Sequence, residues 1–191
     1  MDMKRLIVFT VMMLAVLSAA AQTINGTWSY TDNAKDKVEE QGARGDIEMT
    51  SHVRFRFNGE AFSQKVTAVA TIKFKSKDKD GNPEEVDFVI EITCTHSGTL
   101  AYDGSTLVLT PAKGQKPKVE VTTNMDDMPG GGIIKTMVVG PVKKSIISEL
   151  KEVQNYKVLS LTDTELTLQD ILTEKQIKKG VKSQTVVLNR Q

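Results

Sequence analysis

The side chains best suited to metal chemistry in this sequence are its one cysteine and its two histidines. Cys94 and His96 are two positions apart in a run of alternating apolar residues, so a strand would place them on one face. A thiolate and an imidazole bind zinc and other transition metals, and His52 is the third ligand that such a site would need. The alternative is a buried thiol and a hydrogen-bonded histidine near a strand end. Because no Cys-x-x-Cys or His-Glu-x-x-His motif accompanies these residues, the sequence predicts no metal site and no cofactor.

Two adjacent carboxylates, Asp126 and Asp127, lie in a polar segment of residues 125–132 that ends in three glycines. Calcium requires six to eight oxygen ligands from an ordered loop, and this segment lacks the alternating acidic spacing of such loops. The composition instead predicts a flexible loop, which we interpret as a mobile flap at one end of the fold.

Motifs for catalysis are not found in the sequence. No serine lies in a Gly-x-Ser-x-Gly elbow, and no glycine-rich phosphate loop follows a predicted strand. The pair Glu84 and Glu85 follows Pro83 and predicts a solvated turn. We therefore expect a protein that is not an enzyme.

Charge is balanced along the chain, with 25 lysine and arginine residues against 24 acidic ones. Such a balance provides no general attraction to nucleic acids or acidic membranes, so we expect no nucleic-acid partner. Basic residues alternate with apolar ones at Arg54, Arg56, Lys73 and Lys75. This alternation is typical of the exposed face of a sheet, and an anion-binding wall is the alternative interpretation.

The first 21 residues have the three parts of a secretory signal. Lys4 and Arg5 precede an apolar run over residues 6–17, and small residues follow as far as Ala21. Cleavage near Ala21 would leave residues 22–191 as a single periplasmic or secreted domain, in an oligomeric state that the sequence leaves open. No later segment approaches the roughly 20 apolar residues of a membrane helix. The lone Cys94 is far from the cleavage site, so we expect no lipid anchor, and it cannot form an intramolecular disulfide.

Apolar residues at alternate positions predict about eight or more β-strands. These strands are predicted at residues 52–57, 65–75, 86–96, 106–109, 118–123, 156–161, 165–170 and 185–190. The dipeptides Asn58-Gly59 and Asp103-Gly104 predict tight turns between neighbouring strands. Residues 32–45 are polar throughout and predict a long solvated loop.

One helix is predicted before the C-terminal strands, over about residues 141–152. Ile146, Ile147, Leu150 and Val153 have helical spacing, and Pro141 suits the first helical position. The order of charges opposes the helix dipole by only tenths of a kcal/mol per exposed residue, so burial of the apolar face should decide the structure. Residues 133–139 fit either a helix or a strand.

Both ends of the predicted mature chain resemble the secreted bacterial lipocalin-like proteins. The motif Gly26-x-Trp28 opens the domain, and the segment from Tyr156 to Arg190 resembles the strands that close such barrels. The resemblance implies an antiparallel up-and-down β-barrel of about eight or more strands, with the predicted helix inserted before the last ones. It also implies that Trp28 closes the barrel base and that the Arg190 side chain lies across its ring.

The inward-facing residues of such a barrel would be mostly apolar. They are Phe55, Phe57, Ala68, Ala70, Phe74, Phe88, Ile90, Ile92 and Tyr102. An apolar lining favours a small hydrophobic or amphipathic ligand, whereas an eight-stranded barrel has little room beyond its own side chains. The sequence thus favours a secreted or periplasmic ligand-binding protein. The alternative is a structural or protein-interaction module with a filled barrel and no small-molecule ligand.

Overall fold

The computed structural model describes residues 23–40, 43–77, 83–127, 131–178 and 180–191. The strands of these ranges are β1 Gly26–Glu40, β2 Ala43–Asn58, β3 Ala61–Lys77, β4 Pro83–Tyr102, β5 Thr106–Pro111, β6 Lys118–Thr123, β7 Gln154–Leu161, β8 Glu165–Asp170 and β9 Thr185–Arg190. Helix α1, Gly131–Glu149, follows a 3₁₀ turn at Asn124–Asp127, and a short helix α2, Glu174–Lys178, lies between β8 and β9. The predicted signal, residues 1–21, lies outside the described residues.

Eight strands form a closed antiparallel barrel. Each pairs with the next in the order β1, β2, β3, β4, β5, β7, β8 and β9, and β9 returns to β1. Strand β6 lies end to end with β5 along one edge of β4, since Gly98 pairs with Pro111 and Thr95 pairs with Lys118. The predicted up-and-down barrel, with a helix before its C-terminal strands, is confirmed.

The strands of the barrel differ greatly in length. Strands β1 to β4 have 15 to 20 residues, whereas β5, β7, β8 and β9 have six to eight. Beyond Ser29, β1 pairs with β2 alone in the described part of the chain. The C-terminal parts of β1 and β3 and the N-terminal parts of β2 and β4 therefore continue past the closed barrel. They form an open sheet with β6 at one edge. We call this part the sheet extension; it comprises residues 31–40, 43–52, 67–77, 83–93 and 118–123.

The predicted solvated loop at residues 32–45 is wrong. Apart from residues 41–42, which lie outside the described residues, this segment forms the ends of β1 and β2, paired from Glu40 and Ala43 onwards. Backbone pairing needs no apolar side chains, and charged residues on an edge strand discourage pairing with another chain. An ion pair across this hairpin joins Lys35 Nζ and Glu48 Oε1 at 2.7 Å.

Two apolar clusters stabilise the described structure. The larger fills the closed barrel, and its most deeply buried side chains are Trp28, Phe57, Leu107, Leu109, Leu166, Leu168 and Leu188. The smaller joins Cys94, Val119 and Leu150 beside the C-terminal end of α1. Val66 packs against both clusters, so it connects the barrel core to the core beneath the helix.

Helix α1 starts ten residues earlier than predicted, and Pro141 lies inside it instead of at its first turn. Residues 133–139, left open between helix and strand, are helical. An internal proline loses one backbone hydrogen bond, so apolar burial on both sides of it must offset that loss. Val139 and Val142 next to the proline, and Ile146 further on, are half-buried.

The predicted flap divides between several elements. Asp126 and Asp127 belong to the 3₁₀ turn, residues 128–130 lie outside the described residues, and Gly132 is part of α1.

Within the described residues, no helix is both long and apolar enough to cross a membrane.

Barrel closure combines backbone pairing with contacts of one aromatic and one basic side chain. The Trp28 Nε1–H donates to the carbonyl of Ile24 at 2.8 Å, and Cζ of Arg190 lies 4.7 Å from the Trp28 ring centroid. The Nη2 group of Arg190 also donates to the carbonyls of Thr23 and Asn25, at 3.2 and 2.9 Å. This is the arrangement that the resemblance implies for Trp28 and Arg190.

The backbone conformation at the start of β1 favours glycine. Gly26 has a φ of +139°, which L side chains rarely adopt. A Cβ atom there would lie at van der Waals contact with the Arg190 guanidinium, 3.4 Å from its Nε. The first residue of the Gly-x-Trp motif is thus next to the cation that covers the third, and its φ is what favours glycine.

Gly98 allows β4 and β5 to approach each other under the ring of Phe62. A Cβ at this position would overlap the carbonyl of Thr110 and would lie 2.8 Å from Cε1 of Phe62. We expect Gly98→Ala to lower the free energy of unfolding by about 3 kcal/mol, because the backbone must move to accommodate the methyl group. Urea unfolding followed by the fluorescence of Trp28, the one tryptophan, measures this change.

The matched control is Gly132→Ala in helix α1, where a Cβ meets nothing within 4 Å. This change should leave stability unchanged or raise it by up to about 1 kcal/mol, because alanine is the better helix former. Equal stability of the two variants would contradict the close approach at Gly98.

Replacing Arg190 tests the closure of the barrel. We expect Arg190→Ala to lower the free energy of unfolding by about 1 to 3 kcal/mol, since it removes the contact with the Trp28 ring and two hydrogen bonds to carbonyls. Arg190→Lys keeps a cation but not the planar fork, so its loss should be intermediate. The neighbouring Asn189 is exposed, and Asn189→Ala is the control in the same urea experiment. An Arg190→Ala variant as stable as this control would show that the contact adds nothing to closure.

Candidate functional site

The predicted ligand-binding residues lie in two different parts of the inner face. Phe55 and Phe57 lie inside the closed barrel, where they are 3% and 2% exposed and their ring centroids are 5.6 Å apart. Tyr102 packs against the same core cluster and donates its hydroxyl to the carbonyl of Gly104 at 3.2 Å. These three side chains are part of the packing of the barrel.

The other members of the predicted set lie above the closed barrel, on the inner face of the sheet extension. Strand register pairs Ala68 with Ile92, Ala70 with Ile90 and Ile72 with Phe88. Ala68 and Ile90 are buried, whereas Ala70, Phe88 and Ile92 are half-buried. The position of Phe74 continues this row, but its side chain lies outside the described part of the structure.

We call the side chains of Ala68, Ala70, Phe88, Ile90 and Ile92 the apolar inner surface. It combines two small side chains on β3 with three large ones on β4. At one end it meets the cluster of Cys94, Val119 and Leu150, against which Ile146 and Ile147 of α1 also pack. The C-terminal end of the helix therefore borders the apolar inner surface.

The cysteine and the histidines do not meet at one point. Cys94 and His96 share the inner face of β4, whereas His52 alternates with buried Val53 on β2 and lies within 2.8 Å of the Thr31 hydroxyl. Burial raises the pKa of the Cys94 thiol and lowers the pKa of His96, so both are neutral at pH 7. No group of three potential metal ligands occurs within the described ranges.

A half-buried polar group lies on the inner face between β1, β7 and β8. Tyr30 and Tyr156 both pack against the barrel core, and Tyr156 is the register partner of Asp170. The Tyr156 hydroxyl donates to Oε1 of Gln154 at 3.1 Å. Burial raises the pKa of both phenols, with smaller contributions from nearby acidic groups, and burial also raises the pKa of Asp170. Sequence reasoning missed this group because its members are far apart in the chain.

A basic cleft of about 1080 Å³ lies where β2, β3 and β4 approach residues 111–118 and the end of α1. Among the described residues that line it, seven are basic and none is acidic. The basic residues are Arg54, Arg56, Lys65, Lys113, Lys116, Lys118 and Lys151. Alternation along β2 and β3 directs Arg54, Arg56 and Lys65 away from the barrel core. None of the predicted ligand-binding residues lines this cleft.

Part of the basic cleft could be predicted from the sequence. The alternation at Arg54 and Arg56 was visible, with an anion-binding wall as the alternative to a solvated face. Lys73, grouped with them by pattern, lies on the sheet extension opposite Asp46 and does not line the cleft. The loop lysines come from a different strand connection, and only the fold brings Lys113 and Lys116 to the same cleft.

No protein-family model matches the chain, and no curated protein matches it. Among solved structures, the chain is similar to the crystal structure of an uncharacterized protein from Bacteroides eggerthii DSM 20697 at 2.60 Å resolution. The two are 12% identical, with a TM-score of 0.35, over 88% of this chain and 100% of the other. A likeness at this level says nothing about a shared ligand or activity.

The carboxyl group of Asp170 should make stability depend on pH. Because burial raises its pKa in the folded state, the folded protein holds this proton more tightly than the unfolded chain does. The stability that Asp170 contributes is therefore complete below its unfolded pKa of about 3.9, and it is lost as pH rises through the folded pKa. We expect Asp170→Asn to raise the melting temperature at pH 7 and to change it little near pH 3.

Thermal unfolding from pH 3 to pH 8 measures this difference. Asp163 lies in the exposed turn between β7 and β8, so Asp163→Asn is the control. The burial argument would be contradicted if the two variants shifted the melting temperature equally at every pH.

Proposed function

We propose that this protein is a lipocalin-like, non-enzymatic binding protein of the periplasm or cell exterior. Its ligand is a small hydrophobic or amphipathic molecule that lies against the apolar inner surface. The signal-like composition of residues 1–21 supports the location. The contact between Trp28 and Arg190 and the closed antiparallel barrel support the relation to lipocalin-like proteins.

The observation that carries this proposal is the partial exposure of the apolar inner surface. Inside the closed barrel, the apolar side chains contact one another and fill the core, so a ligand there would have to displace them. On the sheet extension, Ala70, Phe88 and Ile92 keep part of their surface accessible. Burying that surface beneath a ligand is favourable by roughly 25 cal/mol per Å² of apolar area.

The arrangement of large and small side chains supports a ligand of limited width. Ala68 and Ala70 lie opposite Ile92 and Ile90, so the surface is lower over β3 than over β4. Leu150, directly after the C-terminal end of α1, borders the apolar inner surface and is itself buried against Cys94. A ligand could rest over the alanines with the isoleucines on one side, and the helix end would restrict its length.

The filled barrel favours a second candidate function. Seven large side chains of the closed barrel are buried to less than 2% exposure, which leaves its interior packed. This observation favours a structural or protein-interaction module that binds no small molecule. The two functions differ in whether the apolar inner surface takes up a ligand.

A tryptophan placed over the alanines tests the ligand-binding function. Nile red is a neutral apolar dye whose fluorescence rises in apolar surroundings, and its neutrality avoids attraction to the basic cleft. We expect the wild-type protein to bind Nile red saturably. The affinity of Ala70→Trp for the dye should be lower by about tenfold or more, because the indole would occupy the surface that the dye covers.

The matched control is Val69→Trp, one residue away on the outer face, where Val69 is 45% exposed. This variant should bind Nile red as the wild type does. Native mass spectrometry of protein purified from its own host would then identify a bound molecule directly. No co-purified ligand, together with no saturable dye binding, would exclude the ligand-binding function in favour of the interaction module.

A further inference from the structure

Most of the basic residues of the cleft lie on the outer face of the barrel wall. Side chains alternate between the two faces of a strand, so Arg54 and Arg56 point to the side opposite buried Phe55. Strand register extends this outer face across β1 to β4 and β6 as two neighbouring rows. One row is Arg54, Lys65, Thr95 and Lys118, and the other is Thr27, Arg56, Ser63 and Ser97. All of these residues line the cleft, and we call them the outer basic strip.

Residues 112–117, which connect β5 to β6, lie beside the outer basic strip. The hydroxyl of Ser97 donates to Oε1 of Gln115 at 3.1 Å, so this connection folds against the outer face. Lys113 and Lys116 of the connection are exposed and line the same cleft. The cleft therefore has positive charge along the strip and along one side of it.

The outer face pairs its charges elsewhere but not in the outer basic strip. On the sheet extension, Lys73 of β3 lies between Asp46 of β2 and Asp87 of β4. In the closed barrel, Lys65 of the same strand has Arg54 and Thr95 in the corresponding positions. Like charges directly opposite each other are destabilising, so a bound anion would relieve a repulsion that the folded protein contains.

The positive charge of the strip is a local feature of a nearly neutral chain. The net charge of the full sequence is +1. Within the described ranges, no basic residue of the strip or of the connection beside it forms an ion pair, whereas Lys35 and Glu48 do so farther along β1 and β2. Glu120 follows two positions after Lys118 on the same face of β6, but it does not line the cleft. The strip is thus free to pair with an external anion.

The chemistry of the strip complements phosphate groups. Arginine and lysine only donate hydrogen bonds, and the serine and threonine hydroxyls can donate as well. A phosphate group on an organic compound has three strong acceptor oxygens and close to two negative charges at pH 7, and the planar fork of arginine binds two such oxygens at once. A carboxylate has fewer acceptor oxygens and half the charge.

The width of the strip favours a ligand with more than one phosphate group. Neighbouring strands are about 4.8 Å apart, and same-face residues of one strand are about 6.7 Å apart. The row from Arg54 to Lys118 crosses three strand spacings, so it spans roughly 14 Å. A single phosphate group contacts only part of such a row.

We propose that the outer basic strip binds a compound that carries two or more phosphate groups. Arg54 and Arg56 bind phosphate oxygens through paired N–H donors, and the lysines of the strip and of the connection beside it balance the remaining charge. The phosphates belong either to a free compound or to a lipid headgroup, which present the same chemistry. This site lies on the opposite face of the sheet from the apolar inner surface and does not depend on a ligand there.

The test is isothermal titration of the wild-type protein with inorganic tripolyphosphate. We expect binding at low salt that weakens as the salt concentration rises, because charge pairs are screened. The affinity of the double variant Arg54→Gln with Arg56→Gln should be lower by about tenfold or more, since two charge-assisted contacts are lost. Unchanged affinity in this variant would overturn the proposal. If the variant does not fold, Lys113→Gln with Lys116→Gln, both exposed, replaces it with the same expected weakening.

Two controls separate the outer basic strip from net charge and from the barrel interior. Lys143→Gln with Lys144→Gln removes the same charge from exposed positions of α1 that do not line the cleft, and it should bind like the wild type. Gln64→Leu changes a residue that lines the cleft from the inner face, where Gln64 is the register partner of Phe55, and it should also bind like the wild type. Equal weakening in both double variants, or a loss in Gln64→Leu as large as in the arginine variant, would overturn the proposal.

Citrate and lipid vesicles identify the kind of anion and its source. Citrate has a charge similar to that of pyrophosphate at pH 7 but carries carboxylates, so pyrophosphate should bind more tightly by about threefold or more. Equal affinities would overturn recognition of phosphate. Phosphatidylcholine vesicles containing phosphatidylinositol 4-phosphate present two phosphates on a lipid headgroup. Binding to these vesicles but not to tripolyphosphate would assign the strip to a headgroup, the reverse result would assign it to a free compound, and binding to neither would overturn the proposal.

Discussion

Closure of the barrel through Trp28 is the interaction on which the rest of the structure depends. In the described part of the chain, β1 and β9 share two register pairs, Trp28 with Arg190 and Ser29 with Asn189. So short a seam has few backbone hydrogen bonds, and side-chain contacts must supplement it. The indole is fully buried, its N–H is hydrogen-bonded, and a guanidinium covers its ring. Without this seam, the eight strands would form an open sheet with two exposed edges.

The unequal lengths of the strands determine where each kind of site can form. A closed barrel of eight strands has room for its own side chains and little else, and the described core fills it. Sites must therefore lie where closure ends. The apolar inner surface lies beyond the last paired residues of β1 and β9, and the basic cleft lies where residues 112–117 interrupt the line formed by β5 and β6.

The sequence predicted the barrel well because apolar residues at alternate positions, such as Phe55 and Phe57, indicate a half-buried strand. It failed at residues 32–45, since an edge strand that is exposed on its surfaces has no apolar alternation to reveal it. The start of α1 was misplaced for a related reason. Pro141 is a strong local signal for a helix start, but burial of valines on both sides of it outweighs that preference.

The candidate sites were predicted less completely than the fold. The alternation of side chains along a strand placed Ala68 and Ala70 on one face, and likewise Ile90 and Ile92. The strand register in the structure agrees with that placement. The basic cleft depends on a strand connection folding back beside Arg54 and Arg56, which no local pattern specifies. Register between β3 and β4 is also needed to place Gln64 beside His96.

The narrow connection between the two apolar clusters affects how the protein unfolds locally. Val66 packs against the barrel cluster and against the cluster under α1, so the two share a narrow apolar boundary. Packed regions connected in this way unfold locally with different free energies. Amide hydrogens of α1 should therefore exchange with solvent through an opening that leaves the barrel intact. The helix would then open as a separate segment on a scaffold that stays closed.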